Sequence, residues 1–390
     1  MRLFNLFLPI GIVLLLAACT ADTEIVTIQH YPTEDFQIIS RHLDLPEEPL
    51  IYNLTLPPHL SGSNGNTHST NADVATLGRV LFYDTHLSRN ESVSCASCHF
   101  QDKGFADDRA LSEGFNGELT KRNSLALGAT VSFRHTYGGG SSSFVGGGAL
   151  FFWDERAHSI AEQSSMTIQD DIEMGMSMPE LVSRLESVEY YQPLFKRAFG
   201  TETISENRIT QALEEFISSI GAFNTRFDEG LSKVSHASQD FGNFTLNENL
   251  GKSLFVENCA GCHGERLAAT PMTLANNGLD LDYDDQGVGD RSGLLVDQGV
   301  FKVPQLRNVA LTGPYMHDGR FVTLEEVVDF YSEGIQAHPN LNEQLIDPTT
   351  GEPQRFNFSA AEKTALVDFL NTLTDETIAT AERFSDPFRD

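Results

Sequence analysis

The sequence predicts a mostly α-helical chain carrying two related modules in tandem, and three observations carry that prediction. A short motif occurs twice: LGRVLF at 77–82 precedes CASCH at 95–99, and LGKSLF at 250–255 precedes CAGCH at 259–263. The two histidines, His99 and His263, stand 164 residues apart, about the length of one domain. Between and after the motifs the apolar residues recur at helical spacing, with no sustained period-two alternation.

From the N-terminus, MRLFNLFLPIGIVLLLAAC places one charge, Arg2, before an apolar run that ends in small residues, the design of an export signal. Leu16–Cys19 (LAAC) resembles a bacterial lipobox, so residues 1–18 are expected to be removed and Cys19 to be diacylated. Thr20, where a protein retained at the inner membrane often carries Asp, favours a periplasmic lipoprotein anchored to the outer membrane. Residues 19–72 read as an irregular lead-in that closes on the turn-rich linker SGSNGNTHSTN, 61–71. Two modules then span 73–235 and 236–390, the last helices being free to pack back on the first module. Ile209, Ala212, Leu213, Phe216, Ile217 and Ile220 form one apolar helical stripe. Ser177–Glu180, Thr323–Glu326 and Ser359–Glu362 are capping-box patterns that open helices. The loop YGGGSSSFVGGG (137–148) carries no readable function.

Of 390 residues, 40% are hydrophobic and 21% charged, the balance of a globular chain. Asp and Glu total 55 against 26 Lys and Arg, a net charge of −29. That surface excludes nucleic acid as a partner and suits a basic protein, at ranges within a Debye length of roughly 8–10 Å.

There are five cysteines: Cys19, Cys95, Cys98, Cys259 and Cys262. With Cys19 lipidated, the other four fall into two CxxCH motifs and leave nothing for a disulfide framework. Zinc sites use paired CxxC units but do not require His directly after the second Cys. Thioredoxin-like chemistry wants CxxC in a βαβ context, which is absent here. A c-type haem needs this arrangement: two thiols take the porphyrin vinyl groups and the adjacent imidazole binds the iron. Cys95, Cys98 and His99 therefore hold one haem c, and Cys259, Cys262 and His263 another. A di-haem electron carrier would fill both sixth iron positions. An enzyme that activates peroxide leaves one open, beside an acid/base group.

FFWDERAHSIAEQSSMTIQDDIEMGM (151–176) and FKVPQLRNVALTGPYMHDGRFVTLEEVVDFY (301–331), with the two haem motifs, resemble the bacterial di-haem cytochrome c peroxidases and their MauG-like relatives. The likeness runs from about Leu77 to Leu373. It implies two cytochrome c-like haem domains in tandem, two covalent haem c groups and a calcium ion. The activity implied is reduction of hydrogen peroxide with electrons from a small periplasmic donor, a cytochrome c or a cupredoxin. The alternatives are MauG-like oxidation of side chains on a partner protein, and a non-enzymatic di-haem carrier. The family often forms homodimers, but no interface signal stands in this sequence.

By position, Trp153 matches the family tryptophan between the haems, although a lone Trp is otherwise read as a core aromatic. Gln163 and Glu173 match the pair above the peroxide-binding haem, with Glu173 as acid/base; by composition Glu173 is one of 55 acidic residues. Asn123, Thr312 and Pro314 match the calcium site, and would otherwise be read as turn residues. His317 belongs near the haem–haem interface.

Two departures follow. No histidine lies between His99 and His135, and Phe115 stands near the position of the family's capping histidine, so the first haem is expected to carry no protein sixth ligand and to need no reductive activation. The peroxidases' axial methionine position, fourteen residues after His317, holds Tyr331, as in MauG-like enzymes. The other readings make Tyr331 an apolar-face aromatic, with His338, Met272 or Met316 as ligand, or the position open.

Overall fold

The computed structural model describes residues 31–60, 67–68, 70–128, 151–267 and 272–389. The export segment, Cys19, the 137–148 loop and most of the 61–71 linker lie outside these residues. Helices α1 (Thr33–His42), α2 (Ala72–Tyr83), α3 (Ile160–Gln169), α4 (Met178–Glu186), α5 (Tyr191–Phe199) and α6 (Glu206–Ser219) build the first half. The second half contains α7 (Arg226–Leu231), α8 (Leu246–Asn258), α9 (Ala260–His263), α10 (Val288–Ser292), α11 (Leu324–Asp329), α12 (Ala360–Asn371) and α13 (Glu376–Thr380). Among the described residues the sheet content is two short antiparallel ribbons. β1 (Leu54–Thr55) pairs with β2 (Thr67–His68), and β3 (Leu274–Ala275) pairs with β4 (Phe301–Lys302) with Leu274 opposite Lys302. No described helix is long and apolar enough to cross a membrane.

The lead-in departs from the irregular segment expected of it. Thr33–His42 is helical because Glu34 and Asp35 sit in its first turn and Arg41 and His42 in its last, matching the helix dipole, while Ile39 is buried in the first core. Two of the three expected capping boxes form in full, at Thr323–Glu326 and Ser359–Glu362. At Ser177 the hydroxyl accepts from Glu180 N–H and donates to the Glu180 carboxylate at 2.7 Å. Thr225–Asp228 and Thr245–Glu248 form two further boxes.

The repeated LGxxLF motif has one physical purpose in both halves. Gly78 on α2 faces the main chain of α6, where a Cβ would overlap the Ala212 carbonyl oxygen. Gly251 on α8 meets the Ala365 carbonyl of α12 in the same way. Only glycine lets these backbones close. Four residues on, Phe82 packs against Phe216 at 5.3 Å between ring centroids, and Phe255 against Phe369 at 5.1 Å. Each of these phenylalanines also lies 6.5 Å from the histidine of its own CxxCH motif. The basic residue after each glycine is buried and donates to backbone carbonyls: Arg79 Nε to Ser385 O at 2.6 Å, and Lys252 Nζ to Ala237 O at 2.6 Å and Gln239 O at 2.7 Å.

Three apolar clusters organise the chain. One gathers α2, α4, α5 and α6, and a second gathers α7, α8 and α12. The third joins Trp153 of the first half to Tyr283, Phe301, Phe330 and Ile335 of the second. The C-terminal segment crosses back: Ile378 and Phe384 are buried in the first core, and Tyr83 Oη donates to Phe384 O at 2.6 Å. At the seam, buried Arg307 donates twice to Asp228 at 2.8 Å and once to Ala222 O at 2.8 Å. A buried pair so fully hydrogen-bonded penalises loss of either partner more than it stabilises the whole.

Gly78→Ala and Gly251→Ala are each expected to lower unfolding stability by about 1–3 kcal/mol, the cost of overpacking. Gly242→Ala, where a Cβ meets nothing within 4 Å, is expected to stay within about 0.5 kcal/mol of the parent. Denaturant unfolding of the three variants checks the ranking; equal loss at all three positions would contradict it.

Candidate functional site

Each CxxCH motif closes a tight turn that aims its histidine. Cys95–Ser97 is a single 3₁₀ turn opened by Ser94 and Ser97, which hydrogen-bond reciprocally to each other's backbone. His99 Nδ1 lies 2.8 Å from the Phe105 carbonyl, which the left-handed pair Gly104 (φ 61°) and Phe105 (φ 62°) turns back toward it. His263, on the short helix α9, has Nδ1 3.1 Å from the Pro304 carbonyl. A carbonyl can only accept, so both Nδ1 atoms carry the proton and both Nε2 lone pairs are free for iron. Burial pushes both imidazoles toward the neutral, ligating form, His263 to about 4.

Both motifs open into cavities. The first encloses about 930 Å³ and is lined by Cys95, Cys98, His99, Gln163, Thr167 and Glu173 among others. The second encloses about 280 Å³ against Cys259, Cys262, His263, Met316, His317 and Tyr331. Paired thiols, a neutral imidazole and a cavity at each motif fit a covalently bound haem c. Among the described residues no three His, Cys, Asp or Glu side chains converge as a metal site.

Gln163 and Thr167, one turn apart on α3, face the first cavity together with Glu173 from the turn that follows. Asp170 Oδ1 builds that turn by accepting from Ile172 N at 2.9 Å and Glu173 N at 3.0 Å. The Glu173 carboxyl is raised to about 7, first by burial and then by the Asp170 charge, against the Thr167 hydroxyl and Arg156, which pull the other way. Its charge reaches the thiols of Cys95 and Cys98. Phe115 does not line this cavity. Its ring packs where a Cβ on Gly175 (φ 61°) would stand, under Arg89 at 5.7 Å, while its N–H donates to Glu173 O at 3.1 Å.

Trp153 lines both cavities, as do Asn123 and Gln163. Its indole N–H donates to Asn123 O at 2.8 Å and its carbonyl accepts from Lys302 N at 2.7 Å. Phe152 (φ 67°) and Glu155 (φ 54°) hold left-handed backbone on either side of it, a conformation that non-glycine residues keep only where the surroundings impose it. Here Glu155 is paired with buried Lys302 at 3.3 Å. Arg122 clamps the two halves alongside, with Nη1 2.9 Å from Asp154 Oδ2 and Nε 2.6 Å from Asp285 Oδ2. Sequence reasoning missed this clamp, since nothing local marks one arginine among 26 basic residues.

In the second cavity Tyr331 and Met316 remain near the iron-binding residues, and Asn277 Nδ2 lies 3.5 Å from Tyr331 Oη and 3.6 Å from Met316 Sδ. Tyr331 sits in a π-helical turn, Phe330–Gly334, that continues α11; such turns often re-aim side chains at functional sites. Burial raises its phenol to about 12, with the Cys262 and Cys259 thiols near enough to add to the rise. His338 does not line this cavity: its Nδ1 is 3.1 Å from Asn276 Nδ2 and 3.0 Å from Asn340 N. Met272 has its Sδ 3.0 Å from Asn342 Nδ2 and 3.9 Å from the Cys262 thiol. His317 stacks on Phe301 at 3.8 Å and its carbonyl accepts from Asn123 N at 2.7 Å, which ties it to the Trp153 side of the cavity. Asn123, Thr312 and Pro314 share this cavity's wall, and the Asn123 amide nitrogen donates to Arg109 O at 3.2 Å and Ala110 O at 3.1 Å.

The family model for di-haem cytochrome c peroxidase matches residues 72–235, and that for cytochrome c matches residues 249–374. The methylamine utilization protein MauG of Methylophilus methylotrophus is 32% identical over 304 residues, 77% of this chain and 82% of the relative. The cytochrome c551 peroxidase of Nitrosomonas europaea is 29% identical over 78% of this chain and 81% of its own. Among solved structures, a MauG-like protein associated with microbial copper homeostasis superposes with a TM-score of 0.69 at 31% identity, covering 82% of this chain and 94% of that one. Two thioether-forming motifs, two imidazoles with free Nε2 and a shared tryptophan wall agree with these likenesses: the chain belongs to the di-haem cytochrome c peroxidase and MauG family of oxidoreductases.

Proposed function

We propose that the protein is an exported, lipid-anchored peroxidase of the periplasm that reduces hydrogen peroxide to water, taking two electrons from a small donor and two protons from solvent. The observation that carries this reading is the Glu173 carboxyl, held near neutrality in the same cavity as Cys95, Cys98 and His99. Bound haem c supplies the iron on which peroxide is reduced and the store for electrons. The chain's own residues do the rest. With the haem bound, Glu173 would take a proton from one peroxide oxygen and return it to the other, the one released as water. Gln163, one turn from Thr167, orients the peroxide through its amide. Trp153, in the wall common to both cavities, is the relay between the centres. Phe115, held aside on Gly175, leaves the first centre open without prior reduction. The net charge of −29 suits a basic cytochrome c or cupredoxin as donor. A calcium ion held by Asn123 Oδ1 and the Thr312 and Pro314 carbonyls belongs to the same reading.

A second reading is MauG-like oxidation of a partner protein, and Tyr331 favours it. Tyr331 would offer iron at the second centre a phenolate oxygen, which would stabilise higher oxidation states and suit charge sharing over relay. Turnover of peroxide with reduced cytochrome c separates the two readings. Fast steady-state oxidation of the cytochrome supports the peroxidase; negligible rates with a long-lived oxidised form after peroxide addition support the modifier.

Glu173→Gln is expected to slow the peroxide reaction by about 10²–10⁴-fold, the usual weight of a positioned acid/base. The sign of the pH dependence follows from the raised carboxyl. A base must be ionised, so the rate rises with pH through about 7 and the rise vanishes in the variant. Stopped-flow peroxide reduction checks both, and an unchanged rate in Glu173→Gln would remove the acid/base role.

A further inference from the structure

Outside both cavities one buried cluster joins phenols to a base. Tyr190 Oη donates to Asp84 Oδ2 at 2.7 Å and Tyr191 Oη donates to the same oxygen at 2.5 Å. The two rings lie 4.8 Å apart, and both tyrosines and Asp84 are buried. The other oxygen, Oδ1, accepts from His86 N at 2.8 Å and pairs with His86 Nδ1 at 2.6 Å; the His86 side chain is 34% exposed. Asp84 follows Phe82, which lines the first cavity, by two residues. Two residues of chain span at most about 7 Å. On the other side the Tyr190 ring stands 5.3 Å from His42, which is 41% exposed. The cluster therefore starts within two residues of a wall residue of the first cavity and reaches the surface at His86 and His42.

We propose that Tyr190 and Tyr191, sharing Asp84, form a redox site that takes up the oxidising equivalent left at the His99 centre when no electron donor is present. The inference rests on the peroxidase-family reading above. One phenol gives up one electron, which restores one of the two removed by peroxide. A phenol that has lost an electron is strongly acidic, so its proton passes along the existing hydrogen bond to Asp84 Oδ2. A neutral phenoxyl and a protonated carboxyl replace the phenol and carboxylate, and one electron returned from the surface reverses the change. Asp84 is ready for this role: the bonds it accepts from His86 and Tyr191 hold its carboxyl below the usual range despite burial, so it is ionised. Trp153, Tyr83 and Tyr315 lack the partner, for each donates to a backbone carbonyl, which takes no proton.

The test adds one equivalent of peroxide to the di-haem holoprotein without a donor and freezes it for EPR. The same sample is prepared from cells fed ring-deuterated tyrosine, which leaves the chain unchanged. An organic radical whose spectrum narrows on deuteration, and which is lost in Tyr190→Phe/Tyr191→Phe with both haem absorptions intact, is the expected result. A radical insensitive to tyrosine deuteration, or one that persists in the double variant, overturns the assignment. A haem spectrum that changes with no organic radical overturns the tyrosine site alone; a haem spectrum unmoved by peroxide overturns the peroxidase reading with it.

Discussion

The close backbone contact at Gly78 with Ala212, and its twin at Gly251 with Ala365, is the constraint from which both centres follow. Because each pair of helices meets main chain to main chain, the phenylalanine one turn further on is driven against its partner ring and against the haem-binding histidine. Each histidine is then fixed from the far side by a carbonyl, Phe105 in one half and Pro304 in the other. One packing solution, used twice, delivers two buried imidazoles in the same tautomer, each with Nε2 free.

What differs is the rest of each cavity. The first is polar and carries Gln163, Thr167 and Glu173; the second is walled mainly by apolar residues and carries Tyr331. Carboxyl chemistry shows how environment sets the role. Glu173 and Asp84 are both desolvated, yet Glu173 has one hydroxyl partner and a neighbouring negative charge and is raised, while Asp84 accepts from His86 and Tyr191 and is lowered. The count of donors decides which carboxyl is raised and which stays ionised.

Much of this was legible in the sequence. The CxxCH motifs, the repeated LGxxLF and the α6 stripe are local patterns whose physics acts on neighbours in the chain, and the structure uses them as read. The grouping of Trp153, Gln163 and Glu173 came from the resemblance, since no spacing rule brings a tryptophan and a glutamate twenty residues apart to one wall. The helix at Thr33–His42 escaped notice because its apolar face is only Phe36 and Ile39 against a larger partner. The clamp of Arg122 on Asp154 and Asp285, the carbonyls behind the two histidines and the Asp84 cluster join residues distant in sequence through contacts that no local pattern encodes. Tyr331 was readable as a position, but its direction depends on a π turn that hydrophobic periodicity does not reveal.

The central claim is an asymmetry: two cavities built on one helix crossing, the first carrying Gln163, Thr167 and Glu173 with Phe115 held aside, the second carrying Tyr331. EPR of the fully ferric di-haem protein reads this directly, because each iron's spin state reports its sixth ligand. The account predicts one high-spin signal, from iron on His99, and one low-spin signal, from iron on His263. Two low-spin signals in the protein as isolated would place a protein ligand on both irons and contradict it.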